Sequence, residues 1–309
     1  MEKKELVIIG GGPAGLSAGI YASRAEVETV LLERGVPGGL VMSTHFIENY
    51  PGFGEGIGGP ELMIEMEKQA RRFGLETLSK SVDGIGVTEK GIIIKTNSGD
   101  INAGAVIIAT GVSHQLLGVK GEAQFTGRGV SYCATCDGAF FRGKSVAVVG
   151  GGDAAVEEAN FLTRFADKVY IIHRRDELRA TKIVQKKAFE NPKIDFVWSS
   201  VVEEIQGTDT VNTLIVKNVR SNERKPLSVE GAFIYVGNKP NSDLVKDIVN
   251  LDQNGFIITD ENMMTSSKGI YAAGDVRQKF LRQVVTAVAD GAIAAVAAGK
   301  YLEEQKASI

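Results

Sequence analysis

The sequence predicts an α/β protein of two Rossmann-like (FAD/NAD(P)-binding) three-layer domains, the first discontinuous, each with a small antiparallel β meander. Two observations carry that expectation. A β-branched run, a glycine loop and a small-residue helix occur in this order twice, starting at residues 5–9 and again at 145–149. Each copy later closes on a buried apolar strand that ends in glycine, 105–111 in the first and 231–237 in the second.

The elements follow in order. Residues 5–9 meet Gly10-Gly11-Gly12-Pro13-Ala14-Gly15 and then a helix over 16–24; 29–32 is the next strand, ending at Glu33. Runs at 82–87, 91–96 and Ile101 read as the meander, with turn signals at Glu89-Lys90-Gly91 and Asn97-Ser98-Gly99-Asp100. The second copy runs from 145–149 through Gly150-Gly151-Gly152-Asp153-Ala154-Ala155 and a helix to about Phe165. Its next strand, 168–172, ends at His173-Arg174-Arg175, and 202–205 with 213–219 repeat the meander. Gly269-Ile270-Tyr271-Ala272-Ala273-Gly274-Asp275 is a further strand with no counterpart in the second copy, so the chain is expected to return to its first domain. The expected domains are 1–113 with 244–309, and 114–243. Short connections near 112–117 and 240–246 are candidate hinges.

Composition excludes some classes. A net charge of −3 over 309 residues gives no reason to expect a nucleic-acid partner. The apolar segment 284–298 is Ala-rich and broken by Asp290, which argues against a membrane span. Met1-Glu2-Lys3-Lys4-Glu5 leads into a strand without an apolar signal. These readings point to the cytoplasm, where a disulfide is more often catalytic than structural.

The only two cysteines are Cys133 and Cys136, in Cys133-Ala134-Thr135-Cys136-Asp137. Structural zinc needs four Cys or His ligands, and His45, His114 and His173 do not supply the spacing, so no metal is expected. A Cys-x-x-Cys near a βαβ pattern reads as a redox pair, its first sulfur activated at a helix start. Inert buried thiols fit poorly with the polar, turn-like context.

The glycine loops carry the nucleotide reading. Gly10, Gly12 and Gly15 form G-x-G-x-x-G between strand and helix, which suits a pyrophosphate at a helix N-terminus. Glu33 can accept from ribose hydroxyls and would repel a 2′-phosphate, so this loop suits FAD or NAD. Gly150, Gly152 and Ala155 form the second loop, beside Asp153 and Ala154. Arg174, Arg175 and Arg179 could pair with a 2′-phosphate there, which points to NADPH, with NADH as the alternative.

The chain resembles the smaller, bacterial and archaeal thioredoxin reductases over nearly all its length. The resemblance rests on the motifs at 10–15, 48–53, 133–138, 150–153, 173–179, 271–277 and 282–284. It implies FAD in the first loop, NADPH in the second, thioredoxin as the partner and a homodimer. It implies cofactor contacts from Pro13, Ala14, Arg34, Gly111 and Gly274, and from Asp275 to the flavin's ribityl or phosphate region. Asn49, Arg282, Gln283 and Val284 are expected near the flavin, and His173 beside the NADPH phosphate. The family often has Gly-Gly-Gln where this chain has Gly38-Gly39-Leu40, so only a backbone contact is carried over there. The resemblance also makes Cys136 the flavin-facing sulfur and Cys133 the one that attacks the partner. Asp137 is the expected acid–base, against a plainer role as a turn or cap residue. Other readings remain: a reductase of another dithiol protein, such as a peroxiredoxin- or glutaredoxin-like one, a flavin NAD(P)H oxidoreductase without disulfide chemistry, or a nucleotide-binding sensor.

Overall fold

The computed structural model describes residues 2–88 and 91–307; the expected turn at Glu89-Lys90 lies outside them. The chain divides into two units, Met1–Ser113 with Lys239–Ile309, and His114–Asn238.

The first unit begins with β1 (Glu2–Ile9), α1 (Pro13–Arg24) and β2 (Thr29–Glu33). It continues through α2 (Gly59–Arg72), β3 (Glu76–Ser79), β4 (Val82–Thr88), β5 (Gly91–Thr96) and β6 (Ile101–Ile108). The order across its sheet is β3-β2-β1-β6-β5-β4. The β3, β2, β1 and β6 pairings are parallel, whereas β5 and β4 run antiparallel as the meander. β1 shows why the sequence reads as it does. Leu6 and Ile8 join the core on one face and Val7 and Ile9 the core on the other. A strand covered on both faces needs an unbroken apolar run.

The chain then crosses through β7 (Val112–His114) into the second unit. There it forms α3 (Glu122–Phe125), β8 (Val130–Ser131), α4 (Ala134–Asp137), β9 (Ser145–Gly150), α5 (Asp153–Leu162), β10 (Lys168–Ile172), α6 (Lys182–Phe189) and β11 (Ile194–Val197). The meander strands β12 (Ser200–Gly207), β13 (Val211–Asn218) and β14 (Arg224–Ser228) precede β15 (Gly231–Tyr235). The parallel sheet has the order β11-β10-β9-β15-β8, and the meander is a separate antiparallel sheet. Val146 and Val148 pack with α5, while Ala147 and Val149 pack with the meander.

The return strand β16 (Asn238–Pro240) pairs with β7 in a two-stranded ribbon. The return falls at Asn238–Lys239, ahead of the expected 243–244. Asn241 explains the difference. Its backbone N–H donates to the Gly111 carbonyl at 3.0 Å and its Nδ2 to the Thr110 carbonyl at 2.9 Å, so this stretch already belongs to the first unit. The strand expected to return is β17 (Ile270–Ala272), which pairs in parallel with the C-terminal half of β6.

The last helix, α7 (Val284–Ala307), is longer than the apolar segment seen in the sequence. By length and composition it is long and apolar enough to cross a membrane. Here its small residues serve close packing on α1: a Cβ at Gly291 would stand 2.1 Å from the Ala14 carbonyl oxygen.

Candidate active site: two glycine loops and a closed dithiol

The first loop is shaped by what a side chain would hit. A Cβ at Gly15 would sit 1.9 Å from the Gly10 carbonyl oxygen, so helix and strand can approach only without one. Gly12 is the opposite case, since a Cβ there would meet nothing within 4 Å. Gly12 caps α1 without a side-chain hydrogen bond, and Pro13 opens the helix. The first-turn N–H groups of α1 thus form an anion cradle. Glu33 accepts from Gly11 N–H and Gly35 N–H, both at 2.9 Å, which fixes the carboxylate beside the cradle. Arg34 is exposed next to it. The segment carrying Gly38, Gly39 and Leu40 lies against the loop: Gly38 N–H donates to the Gly11 carbonyl at 2.8 Å.

Several distant residues gather in the same unit. Asn49 Nδ2 donates to Gln283 Oε1 at 3.1 Å, immediately before Val284 opens α7. Gly274 has a left-handed φ of 80°, and its N–H donates to Asp290 Oδ2 at 3.1 Å. Asp275 Oδ1 and Arg282 Nε are shielded and have no hydrogen-bond partner. Burial lifts the Asp275 carboxyl above the ordinary aspartate range, against the pull of Lys279 and Arg282. Asp275 Oδ1 has only an ion pair to Lys279 at 3.7 Å, and Gly274 before it lies against Ala14 of the first-turn cradle; with Arg282 Nε unbonded in the same unit, these shielded polar atoms fit a polar, phosphate-bearing cofactor. The Arg282 guanidinium lies 4.0 Å over the Phe256 ring. Gly111 has a left-handed φ of 62° at the crossing to β7.

The sequence reading did not assign Arg277, Lys279 and Asp290 to the site. Asp290 is buried and receives Lys279 Nζ at 2.9 Å and Arg277 at 3.2 Å. The signal was present: a carboxylate inside an Ala-rich apolar helix needs partners.

The second loop repeats the backbone with different chemistry. Gly150 is left-handed, and a Cβ there would stand 2.4 Å from the Tyr235 carbonyl oxygen. Gly152 again opens onto free space, and Ala154 is exposed. Asp153 Oδ1 accepts from Thr181 N–H at 2.7 Å, and Arg179 N–H donates to the Gly151 carbonyl at 2.7 Å, which draws 179–181 against the loop. Arg174, Arg175 and Arg179 are exposed. His173 differs from its neighbours. It is buried beneath Gly151, and its Nε2 has no hydrogen-bond partner. Burial, reinforced by the three arginines, lowers its pKa and keeps the ring neutral at neutral pH.

Cys133 and Cys136 form a disulfide in the turn that follows β8. Cys133 caps α4, and its Sγ accepts from Cys136 N–H at 3.1 Å. That bond favours a thiolate at Cys133 once the pair is reduced. Cys133 is half-buried and Cys136 exposed. Asp137, half-buried, ends the turn and donates its N–H to the Cys133 carbonyl at 3.2 Å. Tyr235 closes the back: its hydroxyl accepts from Ala134 N–H at 3.0 Å. Tyr132 donates to Glu122 Oε1 at 2.9 Å, and burial with that bond pushes its phenol up to about 12.

Comparison with known proteins agrees with this geometry. The pyridine nucleotide-disulphide oxidoreductase family matches residues 4–291. Thioredoxin reductase of Peptoclostridium acidaminophilum is 48% identical over 305 residues, covering 97% of both chains. That of Peptoclostridium litorale is 49% identical over 306 residues, again covering 97% of both. The crystal structure of Lactococcus lactis thioredoxin reductase, 48% identical, superposes with a TM-score of 0.95 over 97% of this chain and 99% of that one. The chain therefore belongs to the pyridine nucleotide-disulphide oxidoreductase family, and within it to the enzymes that use FAD and NADPH to reduce a disulfide.

Proposed function

We propose that this chain passes electrons from NADPH to thioredoxin, with Cys133 as the sulfur that attacks the partner. The observation that carries the reading is the closed Cys133–Cys136 pair, with Cys136 N–H held on Cys133 Sγ, in a chain so similar to thioredoxin reductases. FAD is proposed for the loop with Glu33 and NADPH for the loop with Arg174, Arg175 and Arg179. Bound together, the two supply two-electron reduction of the disulfide.

The remaining steps belong to the chain's own sulfurs. A Cys133 thiolate attacks the partner's disulfide, forming a mixed disulfide and releasing one partner sulfur. Cys136 then attacks Cys133 Sγ. The internal disulfide re-forms and the partner leaves reduced. Asp137, next to Cys136, takes the proton that Cys136 gives up and passes it to the departing partner sulfur. Another dithiol protein would be reduced by the same steps; the named relatives favour thioredoxin.

A homodimer in the cytoplasm completes the proposal. Val285, Ile293 and Val296 are exposed along α7, which supports self-association and is checked by sedimentation. The deciding experiment is an anaerobic titration with NADPH and then thioredoxin, following flavin absorbance. Cys133→Ser should lower thioredoxin reduction by more than about 1,000-fold while leaving NADPH oxidation by artificial acceptors. A variant that still reduces thioredoxin would overturn the assignment of Cys133.

A further inference from the structure

The dithiol turn has a second acid behind it. The turn packs on α5, and Glu158 of that helix keeps Oε2 shielded without a hydrogen-bond partner. A shielded carboxyl oxygen with no partner calls for an explanation. Tyr235, on β15, feels the charge of Glu158 and touches the turn. Its hydroxyl is bonded to Ala134 N–H, the amide between Cys133 and the rest of α4.

We propose that Glu158 is a positioning residue for the dithiol: acting through Tyr235, it holds the proton that balances the charge of the reduced Cys133–Cys136 pair. The proposal rests on the reading of that pair as the reactive one.

Asp153 opens the same helix as Glu158. Glu157 is on the same helix, Tyr235 on β15 and Asp137 on α4. β9 carries no titratable side chain. α6 carries Lys182, Lys186 and Lys187, and β10 carries Lys168 and Tyr170. Lys186 is paired with Glu190 and Lys168 with Asp195. Burial, with the charge of Glu157 adding to it, lifts the Glu158 carboxyl to about 7. Burial raises the Tyr235 phenol, and the charges of Glu158 and Asp137 raise it further, so it stays protonated. Glu158 is thus a group near the turn that exchanges a proton around neutral pH.

Reduction breaks the S–S bond with an electron pair that NADPH supplies. Two protons are taken up, the one that the hydride carries and one from solvent: one goes to a sulfur and the other to Glu158. The pair becomes a thiol and a thiolate, so one negative charge has moved from Glu158 to sulfur and the net charge is unchanged. When the partner's disulfide reoxidises the pair, both protons leave with the partner's dithiol.

The sign of the effect follows. An ionised Glu158 repels a thiolate and raises the Cys133 pKa; a protonated Glu158 does not. The test is the pH profile of Cys133 alkylation by iodoacetamide, read by mass spectrometry on holoenzyme reduced with dithiothreitol. The wild type should show an inflection near pH 7 below the main thiol titration. Glu158→Gln should remove that inflection and raise the rate several-fold at about pH 7.5, approaching tenfold for a one-unit shift. Glu158→Asp, which keeps a carboxyl, should retain the inflection. A Glu158→Gln profile that superposes on the wild type overturns the proposal. If that variant does not accumulate as yellow holoenzyme, Tyr235→Phe decides: it must weaken the same inflection, and an unchanged profile overturns the proposal. Alkylation uses no thioredoxin, so failure to reduce thioredoxin would count against the earlier reading and not against this one.

Discussion

In the first glycine loop a carboxylate does the fastening: Glu33 takes the N–H groups of Gly11 and Gly35. In the second loop the imidazole of His173 takes the matching place by packing beneath Gly151, with a ring nitrogen left unbonded. The third glycine differs as well. Gly15 has no room for a methyl group, whereas the second loop has Ala155 at that point, buried in the core of its unit. The shared backbone supplies the phosphate cradle twice. The residues at the strand end differ in charge, one a carboxylate and the other followed by three exposed guanidinium groups.

The first loop is most sensitive at Gly15. Gly15→Ala should yield protein without flavin colour, because the methyl group would meet the Gly10 carbonyl oxygen at 1.9 Å; the ratio of flavin to protein absorbance checks this. A smaller effect should follow in the second loop. Replacing Arg175 by Ala should raise KM for NADPH by about 10- to 100-fold, with kcat nearly kept, as expected for loss of one charge-assisted phosphate contact worth roughly 1.5–3 kcal/mol. KM for NADH should hardly change, and equal losses for both nucleotides would remove the arginines from phosphate recognition. The smallest effect is at Ala155. Ala155→Gly should lower stability by about 1 kcal/mol through helix propensity while leaving the flavin bound, read as a drop of a few degrees in Tm.

Much of this was legible from the chain because backbone sterics write glycine into the sequence. Gly10, Gly15 and Gly150 stand where a Cβ would collide with a carbonyl, so the loops announce themselves. The return of β17 was legible for a different reason. The run at 269–275 is one buried strand more than the second copy repeats, so it had to belong to the first domain, where it pairs with β6. The crossing at Asn238–Lys239 was less legible, since it depends on the Asn241 bonds to Thr110 and Gly111, which join residues far apart in sequence. Arg277, Lys279 and Asp290 were missed for the same reason, as their meaning lies in mutual contact. His173 reads as one of a basic run, yet burial makes it a packing residue beside three exposed cations.

The ribbon of β7 and β16 has a consequence for protein engineering. The segment between the two crossings enters and leaves through neighbouring strands, as a cassette spliced into one site of a host. Cutting at the stalk and sealing it with a tight turn should leave the host sheet's strand order intact.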